Sequence, residues 1–110
     1  MNNSIFDIQA DFCKMMGNAT RLQIIHALRE HPMNVNEIAQ STGIGQPVIS
    51  RHLNTLRGTG VVQSQRHGNE IIYQLTDGNI VEVCDLVRKV LTNRIQKESE
   101  VLQPAIVSSP

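Results

Sequence analysis

The segment 46–59 most constrains what this chain can fold into, because it reads as one amphipathic helix with an unusual polar side. Ile49, Leu53 and Leu56 recur at i, i+4 and i+7, the spacing of a single helical face, so they predict a buried stripe. The remaining positions carry amides, hydroxyls and arginines, whereas an ordinary solvated helix carries more glutamate and lysine. Such a surface both donates and accepts hydrogen bonds, which is what the edges of DNA bases require.

The polar side chains of this segment suit DNA individually as well as together. Arginine pairs with guanine O6 and N7, asparagine and glutamine pair with adenine N6 and N7, and serine or threonine can reach either a base or a phosphate. We therefore predict that the segment is a DNA recognition helix. Its predicted DNA-binding residues are Gln46, Pro47, Ser50, Arg51, His52, Asn54, Thr55 and Arg57.

The sequence on either side of this helix supports the same interpretation. Upstream, Val35, Ile38 and Ala39 mark a short helix that ends at Gly43, and the turn 42–45 is short enough to set two helices at a steep angle. Downstream, residues 61–66 and 70–75 are β-prone runs joined by 67–69, a connection of hairpin length. An ordinary packing helix would not need these neighbours. In the hairpin, or wing, the predicted DNA contacts are Arg66, His67 and Asn69.

Two further helices precede this core and one follows it. The first ends near Gly17, and its predicted apolar face holds Ile5, Ile8, Phe12, Met15 and Met16. The second is capped by Asn18 or Thr20, ends after His31 at Pro32, and turns inward Leu22, Ile25 and either Ala27 or Leu28. The last runs from Gly78 to about Leu102, with a stripe of Ile80, Cys84, Val87, Leu91, Ile95, Glu98 and Leu102.

These elements define the predicted fold class: mainly α with a small β-hairpin, a winged helix-turn-helix in the order α1-α2-α3-α4-β-β-α5. The last helix has a longer apolar stripe than a small domain can cover, so we expect dimerisation through the terminal helices. The 110 residues suffice for one domain, and we expect residues 1–103 to form the DNA-binding and dimerisation domain, with 104–110 as a disordered tail.

Charge and hydropathy set the expected partners and location. The formal net charge is zero, but between residues 46 and 75 three arginines oppose one glutamate, so the positive charge lies where DNA would bind. Modest affinity per monomer again favours two linked half-sites. The N-terminus has no signal-peptide pattern and no run approaches a membrane span, so we expect a cytoplasmic protein without membrane contact.

Three segments together resemble the arsenic-repressor (ArsR) or SmtB-type family of metalloregulators and related sensors, over roughly residues 10 to 95. They are residues 17–25 before the second helix, 46–53 in the recognition helix, and 56–62 leading into the wing. The resemblance implies a homodimeric repressor that binds an imperfect palindrome in double-stranded DNA over its own promoter and releases it when an inducer binds. Gly45 stands where the family often has a capping serine, although glycine is also an acceptable N-cap.

The family's two standard metal sites do not carry over to this chain. The thiolate site uses Cys-Val-Cys in the helix before the recognition helix, where this chain has Asn34, Val35 and Asn36. The zinc, cobalt or nickel site uses Asp and His ligands of the last helices, and the matching positions here are Asp77, Asn79, Val90 and Asn93. One carboxylate among these residues cannot build a tetrahedral site, so we expect no metal at either place and no cofactor.

Cys13 and Cys84 are the remaining candidates for sensing, since they are the only thiols in the chain. If the first helix of one protomer packs on the last helix of the other, the thiols could form a disulfide or polysulfide or bind a thiophilic metalloid. Lys14 and Arg88 lie near enough to lower a thiol pKa. The alternative is that both cysteines only pack. The family's persulfide sensors place one cysteine near the position of His26, an arrangement that differs from this one.

The histidines and the motif search add no catalytic site. We expect His26 to be a core or interface residue, His31 to lie at a helix C-terminus, and His52 with His67 to contact phosphate. No phosphate loop, nucleophile elbow or zinc-protease motif is present in the sequence, so we do not expect an enzyme. The alternative to a thiol-responsive repressor is a winged-helix regulator or protein-interaction module without any small-molecule or metal input.

Overall fold

A computed structural model describes residues 4–102, and within them the predicted winged helix-turn-helix order is confirmed. The described helices are α1 (Ile5–Met16), α2 (Ala19–Leu28), α3 (Val35–Thr42), α4 (Gln46–Gly58) and α5 (Asn79–Leu102). The strands are β1 (Val62–His67) and β2 (Glu70–Leu75), which pair with each other in a two-stranded sheet. The predicted tail 104–110 lies outside the described residues.

The chain divides into two compact units, one reaching to Gly78 and the other beginning at Asn79. The first unit holds the hydrophobic core, to which α2, α3, α4 and the hairpin all contribute. The buried apolar side chains are Ile24, Ile25, Ala27, Leu28, Met33, Ile38, Ile49, Leu53, Leu56, Val61, Val62 and Tyr73. Burial of apolar surface from four elements is what fixes the orientation of α4.

Local capping explains where α3 and α4 begin. Asn34 caps α3 in a reciprocal capping box with Glu37, and Gly43 ends the helix in the left-handed region with φ of 77°. Gly45 then serves as the N-cap of α4 without any side-chain hydrogen bond, as the sequence predicted. Pro47 lies in the first turn of α4, where a missing N–H costs nothing. The turn between the two helices is therefore short and well defined.

The wing differs in detail from the prediction. Its register runs from Val62 opposite Leu75 to His67 opposite Glu70, so β1 begins one residue later and ends one residue later than predicted. The predicted three-residue connection is a two-residue turn, in which Gly68 has φ of 65°. A glycine with positive φ in the first central position suits the right-handed twist of a hairpin. Backbone hydrogen bonds between Met33 and Tyr73 attach β2 to the segment after α2.

Two predictions for α2 are wrong, and a third is narrowed. The helix ends at Leu28, so His31 lies beyond its C-terminus, where its Nδ1 donates to the carbonyl oxygen of Pro32 at 2.9 Å. Leu22 is 38% exposed, and Ile24 takes the buried place instead. His26 is exposed in the single chain, which excludes the core alternative, and its place in an interface stays a prediction. Helices α3 and α4 and strand β2 all pack on α2. Because apolar residues occupy a wide arc of this helix, the sequence alone did not determine which of them point inward.

The terminal helices keep their apolar faces exposed in the single chain. Ser4 and Asp7 form a capping box at the start of α1, yet no residue of this helix is buried. In α5 the exposed large apolar side chains cover a wider face than the predicted stripe, of which Val87, Leu91 and Ile95 are members; the others are Val83, Leu86 and Val90. The side chain of Leu102, a predicted member of that stripe, lies outside what the structure describes. No described helix combines the length and apolar character that a membrane-spanning helix needs.

Candidate nucleic-acid interface

The apolar and polar sides of α4 are separated as the sequence predicted. Ile49, Leu53 and Leu56 are each 0% exposed. On the other side, the exposed residues are Gln46, Pro47, Arg51, Asn54 and Arg57, whereas Ser50, His52 and Thr55 are half-buried. The helix is 13 residues long, about 20 Å at 1.5 Å per residue, and a helix of this kind fits the major groove.

The polar residues of α4 form two adjacent rows. Gln46, Ser50 and Asn54 follow one another at i+4, and the Nη2 of Arg57 donates to the Oδ1 of Asn54 at 3.5 Å. Arg51 and Thr55 make the second row, also at i+4. The first row presents mostly amides and the second presents a guanidinium. Such a surface is equipped for both adenine and guanine edges.

The N-terminal ends of α3 and α4 are joined by side chains. The Nε2 of Gln46 donates to the Oδ1 of Asn36 at 2.9 Å. Asn34 donates through its Nδ2 to the Oε1 of Glu70 on β2. Both asparagines stand where the family's thiolate motif would be, and both are engaged in hydrogen bonds. The contact between Asn36 and Gln46 could not be predicted from the sequence, because ten positions separate them.

His52 has a partner within the chain that the sequence did not indicate. The Nε of Arg21 donates to the Nδ1 of His52 at 3.2 Å, and the Nη1 of Arg21 donates to the carbonyl oxygen of Met15 at 2.8 Å. Burial lowers the pKa of His52 below its usual 6.5, and the positive charges of Arg21 and Arg51 lower it further. The imidazole is thus held neutral as an acceptor, which disfavours the predicted charged contact with phosphate.

The wing brings its three predicted DNA-binding residues to one exposed tip. Arg66, His67 and Asn69 are all exposed. The Nε of Arg66 donates to the carbonyl oxygen of Gly68 at 3.2 Å, and the Nε2 of His67 lies 3.3 Å from the Oε1 of Gln65. These bonds hold the guanidinium beside the turn, so a positive group projects from the end of the hairpin.

The two cysteines lie in different units and in different environments. Cys13 is exposed on α1, and Cys84 is half-buried on α5. Burial raises the pKa of the Cys84 thiol; Arg88 opposes this shift and Asp85 adds to it. The predicted lowering by Arg88 is therefore outweighed. Cys13 is the more accessible thiol of the pair.

Residues 4–102 contain no candidate metal centre. No group of three or more histidine, cysteine, aspartate or glutamate side chains is placed to hold an ion there. At the predicted family positions, Asn34 and Asn36 already serve as hydrogen-bonding partners of Glu70 and Gln46.

Comparison with known proteins agrees with this geometry. Residues 18–64 match the family model described as "Bacterial regulatory protein, arsR family". The HTH-type transcriptional regulator Rv0081 of Mycobacterium tuberculosis is 31% identical over 100 residues, which are 90% of this chain and 88% of the relative. Its crystal structure has a TM-score of 0.76, with 28% identity, and the match covers 88% of this chain and 98% of that one.

Two further proteins are similar over most of the same region. The biofilm growth-associated repressor of Xylella fastidiosa is 34% identical over 76 residues, 69% of this chain and 67% of the repressor. A homodimeric winged helix-turn-helix DNA-binding domain from Mycobacterium bovis has a TM-score of 0.74 and 27% identity, covering 84% of this chain and 86% of that domain. Fold and interface thus define a winged helix-turn-helix DNA-binding regulator of transcription. The chain belongs to the ArsR family.

Proposed function

We propose that this protein is a homodimeric repressor that binds an imperfect palindrome and releases it when its cysteine thiols react. The observation that carries the DNA-binding part is the separation on α4, where the apolar stripe is fully buried while the arginines and amides on the other side are exposed. The similar Mycobacterium bovis domain is homodimeric, and the similar Xylella protein is a repressor.

Two copies of α4 would enter successive major grooves about one helical turn apart, as paired helix-turn-helix proteins do. Arg51 and the amide row would contact base edges, while the 66–69 turn of the wing would lie on the backbone or in the minor groove. The exposed apolar faces of α1 and α5 would form the interface between protomers, since exposed patches of this kind mark association sites. Dimer geometry would then set the spacing of the two recognition helices.

The sensing step would act on the same terminal helices. Cys13 is exposed and would react first with a sulfur or redox species or with a thiophilic metalloid, because thiol reactivity requires access. Cys84 would act as the second sulfur, since burial raises its pKa and makes it the weaker nucleophile. A change at either thiol alters the packing of α1 or α5, and a coupling of about 1 to 3 kcal/mol would suffice to weaken operator binding.

Fluorescence anisotropy with a fragment of the protein's own upstream region tests this proposal. Reduced protein is compared with protein treated with tetrasulfide, diamide or arsenite, alongside Cys13→Ser and Cys84→Ser. Release by one reagent, abolished by both substitutions, supports the thiol sensor and identifies its chemical class. In the same assay Arg51→Ala should weaken the specific operator by about 1 to 3 kcal/mol if it reads a base.

A second candidate is a repressor without any thiol input, favoured by the half-buried position and raised pKa of Cys84. Tight operator binding that none of the three reagents disturbs would select it. Wild-type protein that binds no DNA would instead favour a protein-interaction module.

A further inference from the structure

The contact between α3 and α4 at their N-terminal ends points to a role for a residue outside the recognition helix. Asn36 is the second residue of α3, and Gln46 is the first residue of α4. The Gln46 Nε2 donates to the Asn36 Oδ1 at 2.9 Å, and both side chains are exposed. We propose that Asn36 is a positioning residue for DNA reading, which fixes the amide of Gln46 in the orientation that reads an adenine. This inference rests on the proposed base contact of Gln46.

The hydrogen bond contributes little to holding the two helices together. Ile38 of α3 and Ile49 of α4 are each 0% exposed, so the buried core already joins these elements. An exposed amide pair competes with water for both of its groups, which makes its net stabilisation small. The main effect of the contact is therefore on the conformation of the Gln46 side chain rather than on stability.

The contact fixes the orientation of the Gln46 amide relative to that of Asn36, so Gln46 cannot rotate independently. A free glutamine presents its oxygen and nitrogen interchangeably, because the end of the side chain rotates. With Nε2 directed at the Asn36 oxygen, a flip of Gln46 alone would bring two oxygens together. Nε2 carries two hydrogens, so one remains for adenine N7 while Oε1 accepts from N6, the paired arrangement that discriminates adenine.

Preorganisation also lowers the entropic cost of binding. Glutamine is among the side chains that lose most rotamer freedom when they are immobilised. Part of this loss is incurred in the free protein when Asn36 holds Gln46, so the bound complex gains affinity and specificity at that base pair. The expected loss in Asn36→Ala is about twofold to tenfold in preference for the base pair, the range of one net hydrogen bond.

A double-mutant cycle on an operator library tests the inference. Wild type, Asn36→Ala, Gln46→Ala and the double variant are titrated against operators substituted at each position, and thermal unfolding confirms that each variant folds. Gln23→Ala, which removes an exposed amide from α2, is the matched control. We expect Asn36→Ala to relax preference at the base pair that Gln46→Ala relaxes, and the double variant to equal Gln46→Ala.

Three results would overturn the inference. Asn36→Ala could leave base preference unchanged, could weaken all operators equally, or could add its effect to that of Gln46→Ala. Any of these leaves the proposed base contact of Gln46 intact, provided that Gln46→Ala alone relaxes preference. If Gln46→Ala changes binding to no sequence, the proposed contact and the inference fall together.

Discussion

α4 and α5 each carry a long apolar face, and the two helices differ in what covers that face. In α4 the stripe of Ile49, Leu53 and Leu56 is completely buried by the chain's own core. In α5 Leu91 is 45% exposed and Ile95 is 63% exposed. A helix whose apolar side is covered can offer its polar side to DNA, whereas a helix whose apolar side is uncovered requires a partner chain. The helix proposed to read DNA thus lies in the first unit, whereas the uncovered apolar face of α5 lies in the second.

The largest expected effect comes from removing a buried side chain of α4. Leu53→Ala should lower the free energy of unfolding by about 2 to 5 kcal/mol, because it deletes apolar contacts and leaves a cavity in a fully buried place. Urea unfolding at constant protein concentration measures this change. Leu91→Ala on α5 is the matched control, and an equal decrease from that substitution at a concentration where the protein is monomeric would contradict the comparison.

The next effect concerns the uncovered face of α5. Ile95→Asp should raise the dimer dissociation constant roughly a hundredfold, about 3 kcal/mol, because an unpaired charge would be buried in the interface. Sedimentation across a concentration series measures the constant. Gln96→Asp adds the same charge to the opposite side of the helix and should leave the dimer unchanged. Equal dissociation in both variants would show that added charge, rather than the apolar face, is responsible.

Positive charge should matter for DNA only in the first unit. Arg66→Ala on the wing should weaken specific and non-specific DNA alike, and should flatten the dependence of log K on log salt by about 0.9 for each phosphate that a protomer no longer neutralises. Anisotropy titrations at several salt concentrations measure this slope. Arg94→Ala on α5, which removes an arginine paired with Glu98 at 3.7 Å, is the control and should not change it. A slope that Arg66→Ala leaves unchanged would remove the wing from the interface.

What could be predicted from the sequence depended on how far apart the interacting residues lie. The stripe of α4 and the end of α3 at Gly43 follow from periodicity and backbone conformation within a few residues, and both are confirmed. In α2, Leu22 is predicted to point inward and Ile24 is not, because consecutive apolar residues leave the inward direction ambiguous until neighbouring helices are known.

In the candidate DNA interface, too, features set by nearby residues were predictable and contacts between distant residues were not. The exposed row containing Arg51 follows from the helical wheel, but the contact of Gln46 with Asn36 joins residues 10 positions apart, and that of Arg21 with His52 spans 31 positions. Such pairs depend on tertiary packing, and one sequence without its relatives carries no pattern for them. The expected lowering of the Cys84 pKa by Arg88 is wrong for the same reason, since burial outweighs the charge of the neighbouring arginine, whereas the sensing role of Cys84 stays a prediction.

The smallest expected effect tests whether α4 depends on its contact with α2. Because the folded-state pKa of His52 lies below its usual 6.5, the unfolded chain binds the proton more readily, and the free energy of unfolding should fall as pH drops from about 6.5 through the lower pKa. Above 6.5 the imidazole is neutral in both states and contributes no slope. Protonation would also replace the acceptor that Arg21 uses with a second positive charge.

His52→Gln keeps an acceptor but cannot titrate, so stability should vary less between about pH 7.5 and pH 5 than in the wild type. Urea unfolding across that range measures the difference, with His67→Gln on the exposed wing as the control. An unchanged pH profile in His52→Gln would mean that the imidazole is not held neutral by the fold. A flattened profile in His52→Gln alone would show that the imidazole, which accepts from the Nε of Arg21 at 3.2 Å, links the stability of the fold to pH.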